Sequence, residues 1–186
     1  MKGSKARLIS VDGVDASAMI ADARRAIGGR RRGGVSHWDA SGIFQDLCVA
    51  DAEAGAPSAR TLLLLYAADL AFRLRWEIRP ALAAGRTVVA APYVDTAVAF
   101  GRAAGVPAGW LANLFRFAPP PAERRFVTGA RAAADGDGFV GLASERVHGV
   151  NGRRRRQIVR LAAAHLRAEA RRRTRARKGR RKIPNS

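Results

Sequence analysis

The chain has 186 residues, 48% of them apolar, with 34 Lys and Arg against 15 Asp and Glu and a formal net charge of +19. That length suits one ordinary domain, the apolar share excludes global disorder, and a single cysteine, Cys48, excludes an intramolecular disulfide framework and fits a reducing compartment. The charge is uneven: Arg153–Lys182 holds fifteen basic residues and one acid, Glu169, so the body is mildly basic and the tail carries the excess.

Ala6–Val11 (ARLISV) reads as a short buried strand, with Asp12–Ser17 as the turn after it. The apolar run Leu8–Val11 is too short for a signal peptide, and no run approaches a membrane span, the longest being Leu62–Ala68 before Asp69. A cytoplasmic protein with no membrane partner is the expectation. Met19–Ile27 is helical in pattern and stops at Gly28-Gly29, Arg30–Gly34 is a basic glycine loop, and Val35–Trp38 is a second strand. Cys48, near Phe44 and Leu47, reads as a small buried apolar residue. Ser58 is an N-cap residue, and Ala59–Ala84 then runs helically to Gly85, which suits a left-handed C′ position. Its start, Leu62–Leu65, is apolar all round, and Pro80 should kink or divide the helix. Thr87–Ala91 (TVVAA) is the clearest strand. Val94–Ala104 and Gly109–Phe117 are helical, the latter closed by Pro119-Pro120-Pro121. Phe126–Thr128 reads as a strand, as does Phe139–Ala143 after the turn Asp135-Gly136-Asp137-Gly138. Gln157 to Arg177 is a helix with Val159, Ala162, Ala163, Leu166 and Ala170 on one stripe, and Gly179–Ser186 reads as a frayed end. Strands alternating with helices predict an α/β fold with a mostly parallel sheet.

After the first strand, Gly13-Val14-Asp15-Ala16-Ser17-Ala18-Met19-Ile20 has the eight-residue frame of a phosphate-binding loop but only its first glycine. Such a loop needs glycines so that backbone N–H groups can wrap phosphate, a lysine for the terminal phosphates, and a hydroxyl for Mg²⁺. Further along stand Leu62-Leu63-Leu64-Leu65-Tyr66-Ala67-Ala68-Asp69, then Ile78-Arg79-Pro80-Ala81-Leu82-Ala83-Ala84-Gly85, then Val88-Val89, then Tyr93-Val94-Asp95-Thr96-Ala97-Val98-Ala99-Phe100. This succession resembles the thymidylate kinase family, and Asn113–Pro119 (NLFRFAP) resembles a further stretch of it. The resemblance covers about residues 7 to 120, is most specific over 61–100, and does not extend past Thr128. It implies a three-layer P-loop NTPase-like fold, a mostly parallel sheet flanked by helices, over residues 1–150. Residues 151–186 would then be a basic C-terminal helix and tail.

By the resemblance, Gly13, Asp15 and Ser17 would be a vestigial phosphate loop, and Tyr66, Asp69, Tyr93, Asp95 and Phe100 substrate-binding residues. Asp12 falls at the family's glutamate position. The departures weigh more. The family's loop lysine falls on Met19, its Ser/Thr on Ile20, its later glycines on Ala16 and Ala18, and an arginine on Leu70. A metal-associated acid and a second arginine fall on Ala91 and Pro92. Removing one preorganised electrostatic contact costs roughly 10²–10³ in rate, and phosphoryl transfer depends almost wholly on such contacts. The resemblance therefore implies a degenerate member that has lost phosphoryl transfer and keeps at most residual nucleotide binding, with no catalytic or metal-binding residues assigned.

Each candidate has a plainer reading beside it. Asp15 and Ser17 are also turn and cap residues, Tyr66 a core aromatic, and Asp69 a local hydrogen-bond acceptor. His37, His148 and His165 lack any metal-site spacing. Four Lys against thirty Arg suggest a GC-rich coding bias, yet the tail's charge should still attract polyanions without sequence readout. Two alternatives remain: an active dTMP kinase, in which case ATP and Mg²⁺ are its cofactors, and a basic nucleic-acid-associated binding module. A homodimer is expected by the resemblance alone.

Overall fold

The computed structural model describes residues 6–28, 33–49, 55–127 and 138–180, with the side chains of 48–49 and 177–180 excepted. Four parallel strands, β1 (Leu8–Gly13), β2 (Gly33–His37), β3 (Thr87–Ala91) and β4 (Glu123–Val127), form one sheet in the order β2-β3-β1-β4. β1 pairs with β3 through Leu8 with Val88 to Ser10 with Ala90, and with β4 through Ile9 with Glu123 to Gly13 with Val127. Strand alternation sends Ile9, Val11, Val89 and Ala91 to one face, where Met19 and Ala23 of α1 (Ala16–Ile27) cover them. Leu8, Val88 and Ala90 point to the other face and its larger core.

That second face is covered by helices. α2 (Ile43–Val49) leads to α3 (Ala59–Arg73), which Ser58 caps by accepting a hydrogen bond from Thr61 N at 3.1 Å. Pro80 has no N–H to donate back along the helix, and the preceding Leu74–Ile78 segment widens to a π-helical turn before α4 (Arg79–Ala83) resumes. Gly85, at φ +75°, closes α4 in the left-handed conformation its sequence position predicted. α5 (Val94–Ala103) and α6 (Ala108–Leu114) follow β3. α7 (Phe139–Arg146) and α8 (Gly152–Arg180) complete the layer, and Ile158, Val159, Ala162 and Leu166 of α8 join the core. The result is the expected three-layer α/β fold.

The structure corrects several local expectations. Phe139–Ala143 is helical, not a strand: Phe139, Val140 and Ala143 are buried at i, i+1 and i+4, a spacing that a five-residue apolar run cannot distinguish from a buried strand. Asp12 and Gly13 extend β1 instead of beginning a turn, because they pair with Phe126 and Val127. α2 has no counterpart among the predicted elements. α8 begins five residues before Gln157, its first turn capped by Asn151 Oδ1, which accepts from Arg154 N at 3.0 Å, and it continues through Gly179 and Arg180. The Cys48 side chain and most of the Arg30–Gly34 and Asp135–Gly138 turns lie outside the described residues. Among the described residues no helix is long and apolar enough to cross a membrane.

Candidate functional site

In a parallel sheet, ligands bind outside the carboxyl ends of the strands, where connections leave in opposite directions. Here β1 connects toward the β2 side and β3 toward β4, which places that point above the ends of β1 and β3. A cleft of about 110 Å³ lies there. Ala16, Met19 and Ile20 of α1 line one side, and Ala91 and Pro92, with His37, Trp38 and Gly138, line the rest.

No phosphate-wrapping loop stands above β1. β1 ends at Gly13 and α1 starts at Ala16, so only Val14 and Asp15 lie between them. Asp15 caps the helix by accepting from Ala18 N at 2.9 Å, and Ser17 is exposed on the first turn. Gly13 is a packing glycine, since a Cβ there would lie 3.0 Å from Met19 Cγ and 3.1 Å from the Val127 carbonyl. Met19, at the position the resemblance gives to lysine, is 2% exposed and packs with Ile9, Val11, Ala23, Val89 and Ala91. A Cβ at Gly138 would come within 3.2 Å of Ala16 Cβ, so the start of α7 rests on the start of α1. Leu70 and Ala91 are likewise core residues.

Asp12 is the one carboxylate at the end of β1, and it is turned inward. Its Oδ1 accepts from Tyr93 N (2.9 Å), Thr96 N (3.0 Å) and Thr96 Oγ1 (2.9 Å), while Gly13 N donates to Thr96 Oγ1 at 3.1 Å. This latch ties β1 to the start of α5. Oδ2 is buried without a partner. Burial, reinforced by the Asp95 carboxylate and opposed by the three hydrogen bonds, raises the Asp12 pKa to about 6.

Of the residues that the resemblance assigned to substrate, Tyr66, Asp69, Tyr93 and Phe100 are buried and Asp95 is partly exposed. Tyr66 is fully buried and donates its hydroxyl to the Tyr93 carbonyl at 2.6 Å. Its ring lies 4.4 Å from that of Phe139, which also meets Phe44 at 5.7 Å, Phe100 at 5.3 Å and Trp38 at 6.0 Å. Phe139 is thus the hub of an aromatic cluster holding both Tyr66 and Phe100. Tyr93 donates its hydroxyl to Pro119 O at 2.9 Å, and burial pushes its pKa up to about 12. Asp95 pairs with Arg124 at 2.8 Å on the α8 side of α5. Asp69 accepts from Asp39 N, Ser41 N and Ser41 Oγ, fixing the loop that leads into α2.

Sequence reasoning did not single out Arg73, which is fully buried behind the cleft. It donates from Nε to Ser36 Oγ and from Nη2 to the carbonyls of Ser36 and Pro92, all at 2.9 Å, and lies 3.8 Å from Asp69. Ser36 in turn donates to Glu77 Oε2 at 2.6 Å. The available signal was the i, i+4 pair of Asp69 and Arg73 inside an apolar helix, a spacing that places both on one face. His37 opens onto the cleft, and partial burial together with the Arg73 charge holds its pKa below the usual value, so it is neutral at pH 7.

The residues lining the cleft do not fit a nucleotide–Mg²⁺ pair. Among the described residues the lining includes no carboxylate, hydroxyl or cationic group at neutral pH, and no three His, Cys, Asp or Glu side chains gather as a metal site would need.

Strand order and parallel pairing define an α/β fold of the P-loop kinase kind. Thymidylate kinase from Ehrlichia chaffeensis is similar in structure, with a TM-score of 0.56 at 15% identity over 66% of this chain and 74% of that one. At that identity the likeness establishes the fold. No protein-family model matches the sequence, and no curated protein matches it.

Proposed function

We propose that this chain is a thymidylate-kinase-like protein that has lost phosphoryl transfer, with residues 1–150 as its body and 151–186 as a basic arm. The observation that carries the reading is the chemistry of the cleft. Where transfer needs N–H donors, cations and a metal held over the strand ends, this chain has Met19, Ile20, Ala91 and Pro92 around a neutral His37. Four of the seven substituted positions, Met19, Leu70, Ala91 and Pro92, are buried, so their side chains serve packing. Any residual nucleotide contact would fall on Gly13, Asp15 and Ser17 or on the Tyr66, Asp69, Tyr93, Asp95 and Phe100 group. A coupled assay for ADP release with dTMP and ATP–Mg²⁺, with calorimetry for each ligand, tests the reading. Turnover at ordinary kinase efficiency would instead favour an active dTMP kinase.

The basic arm supports a second role in binding polyanions. Arg153–Arg156 occupy the first turn of α8, where cations oppose the helix dipole at about 0.3–1 kcal/mol each. Helix stability therefore does not account for them. Arg154, Arg160, Arg167, Arg171 and Arg175 are exposed along the same helix, and no aromatic side chain accompanies them for base stacking. Retention on duplex DNA should fall steeply with salt, and deletion of residues 171–186 should flatten the slope. A curve insensitive to both rejects the role. A homodimer through the exposed Leu64, Phe72 and Trp76 stripe of α3 and the turn after it completes the proposal, and sedimentation of W76E against the unaltered chain tests it.

A further inference from the structure

A groove between α5 and α8 shares no lining residue with the cleft above the strands. It encloses about 150 Å³, less than the ~300–1,000 Å³ of sites that hold drug-sized molecules, so its size suits a small ion and its water. Val98 and Leu166 supply apolar lining. Asp95 and Arg102 from α5, with His165, Glu169 and Arg172 from α8, supply the polar lining.

The charges in this groove are unbalanced. Each acid is already taken by an arginine outside the lining: Asp95 Oδ2 accepts from Arg124 Nη1 at 2.8 Å, and Glu169 Oε1 pairs with Arg173 Nε at 2.7 Å. Arg102 and Arg172 have no hydrogen bond or ion pair among the described residues. Both act on His165, whose pKa is held below the usual value by partial burial and then by these two charges. A neutral imidazole and two free guanidinium groups therefore face one small groove.

We propose that this groove binds a phosphate-class oxyanion, with Arg102 and Arg172 as charged donors and His165 as a third donor in its protonated form. Guanidinium groups suit this ligand because their N–H forks match tetrahedral oxyanions. The anion reverses the local sign of the field at His165, so binding takes up a proton and tightens as pH falls toward 6. Every charged group facing the imidazole enters this balance: Asp95 and Arg102 on α5, Glu169 and Arg172 on α8, and Arg124 and Arg173 through the acids they hold.

The test uses the full chain and the histidine ring signals in NMR between pH 5.5 and 8. Inorganic phosphate, pyrophosphate and dimethyl phosphate are each compared with chloride at equal ionic strength. In phosphate the proton affinity of His165 should rise about tenfold, one pKa unit, while His37 and His148 stay in place. R102Q, at an exposed position, should abolish that rise. An equal response to dimethyl phosphate keeps the site and assigns it to backbone phosphodiesters, whereas a response to phosphate and pyrophosphate alone assigns it to free anions. An unmoved His165 at saturating phosphate, an undiminished rise in R102Q, or a common shift of all three histidines overturns the proposal. Arg102 lies on α5, so failure here is separable from failure of the basic arm to bind polyanions.

Discussion

Asp12 makes the folded state prefer a proton, and D12N should expose that preference. In the fold its carboxyl has a pKa of about 6 against an ordinary value of 3.8, because burial and Asp95 outweigh three hydrogen bonds to Oδ1. A folded pKa above the unfolded one means that the native state binds more protons between about pH 4 and 6, so stability contributed by protonated Asp12 is lost as pH rises through that window. At 1.36 kcal/mol per pKa unit the gap corresponds to about 3 kcal/mol. The amide of D12N would keep an oxygen for the donors Tyr93 N, Thr96 N and Thr96 Oγ1 and would place its nitrogen where Oδ2 has no partner. Urea unfolding of both proteins at pH 4, 5, 6 and 7.5 isolates this group together with its coupling to Asp95, since the remaining carboxyls titrate in common. The stability of the unaltered chain relative to D12N should fall by about 2–2.5 kcal/mol from pH 4 to 7.5, a midpoint change of about 1 M for an m-value in the upper part of the ~1–3 kcal/mol/M range. A difference that stays flat, or that grows in favour of Asp12 with rising pH, would refute the inward-facing, unpaired Oδ2.

Three further perturbations test the packing of the core. Phe139→Ala removes the ring shared by Trp38, Phe44, Tyr66 and Phe100 and should destabilise by about 3–5 kcal/mol, read in denaturant or as a fall in Tm; a loss under ~1 kcal/mol would mean the hub is not packed as described. Met19→Lys should lower Tm and leave dTMP-dependent ADP release at background, because the position is 2% exposed among apolar side chains. Gly101→Ala would set a Cβ 2.6 Å from Leu111 Cδ2 and should cost about 1–3 kcal/mol through overpacking of α5 against α6, read as a lower urea midpoint.

The sheet was legible because its strands carry their own signals. Leu8–Val11 and Thr87–Ala91 are short apolar runs, each followed by a turn and a helix, and they pair in the structure as neighbours. The stop at Gly85, the cap at Ser58 and the break near Pro80 were legible for the same reason, since each is local chemistry. α2 was not legible. It is held by Asp39, at φ +60°, whose carboxylate accepts from Phe44 N and Gln45 N, and by Asp69 some thirty residues away. Asp39 lies within a local window, but the turn that carries it is fixed by Asp69, which no local window contains. The substrate assignments drawn from the resemblance fixed where Tyr66, Tyr93 and Phe100 stand in the chain, but not which way they face. For Tyr66 and Phe100 that direction is set by Phe139, which lies beyond the part of the sequence that could be aligned.

The same substitutions that remove charge from the cleft also add to the core, and this links stability to the proposed loss of chemistry. A phosphate site keeps glycines, a lysine and acids at the strand ends, groups that pack poorly and repel or desolvate one another until a ligand arrives. Here α1 begins two residues after β1, Met19 fills the space above Gly13, and Ala91 joins the same apolar cluster. Asp12 is the polar group that remains at the end of β1, and its Oδ1 serves the β1–α5 latch. Restoring one catalytic group would therefore bury an unpaired charge before it supplied any positioning, which is why Met19→Lys should act first on folding. The exposed cations of α5 and α8 carry no such penalty, because they lie at the surface and contribute little to the core. Ligand chemistry in this chain is accordingly best sought along that flank, where charge and structural packing do not compete.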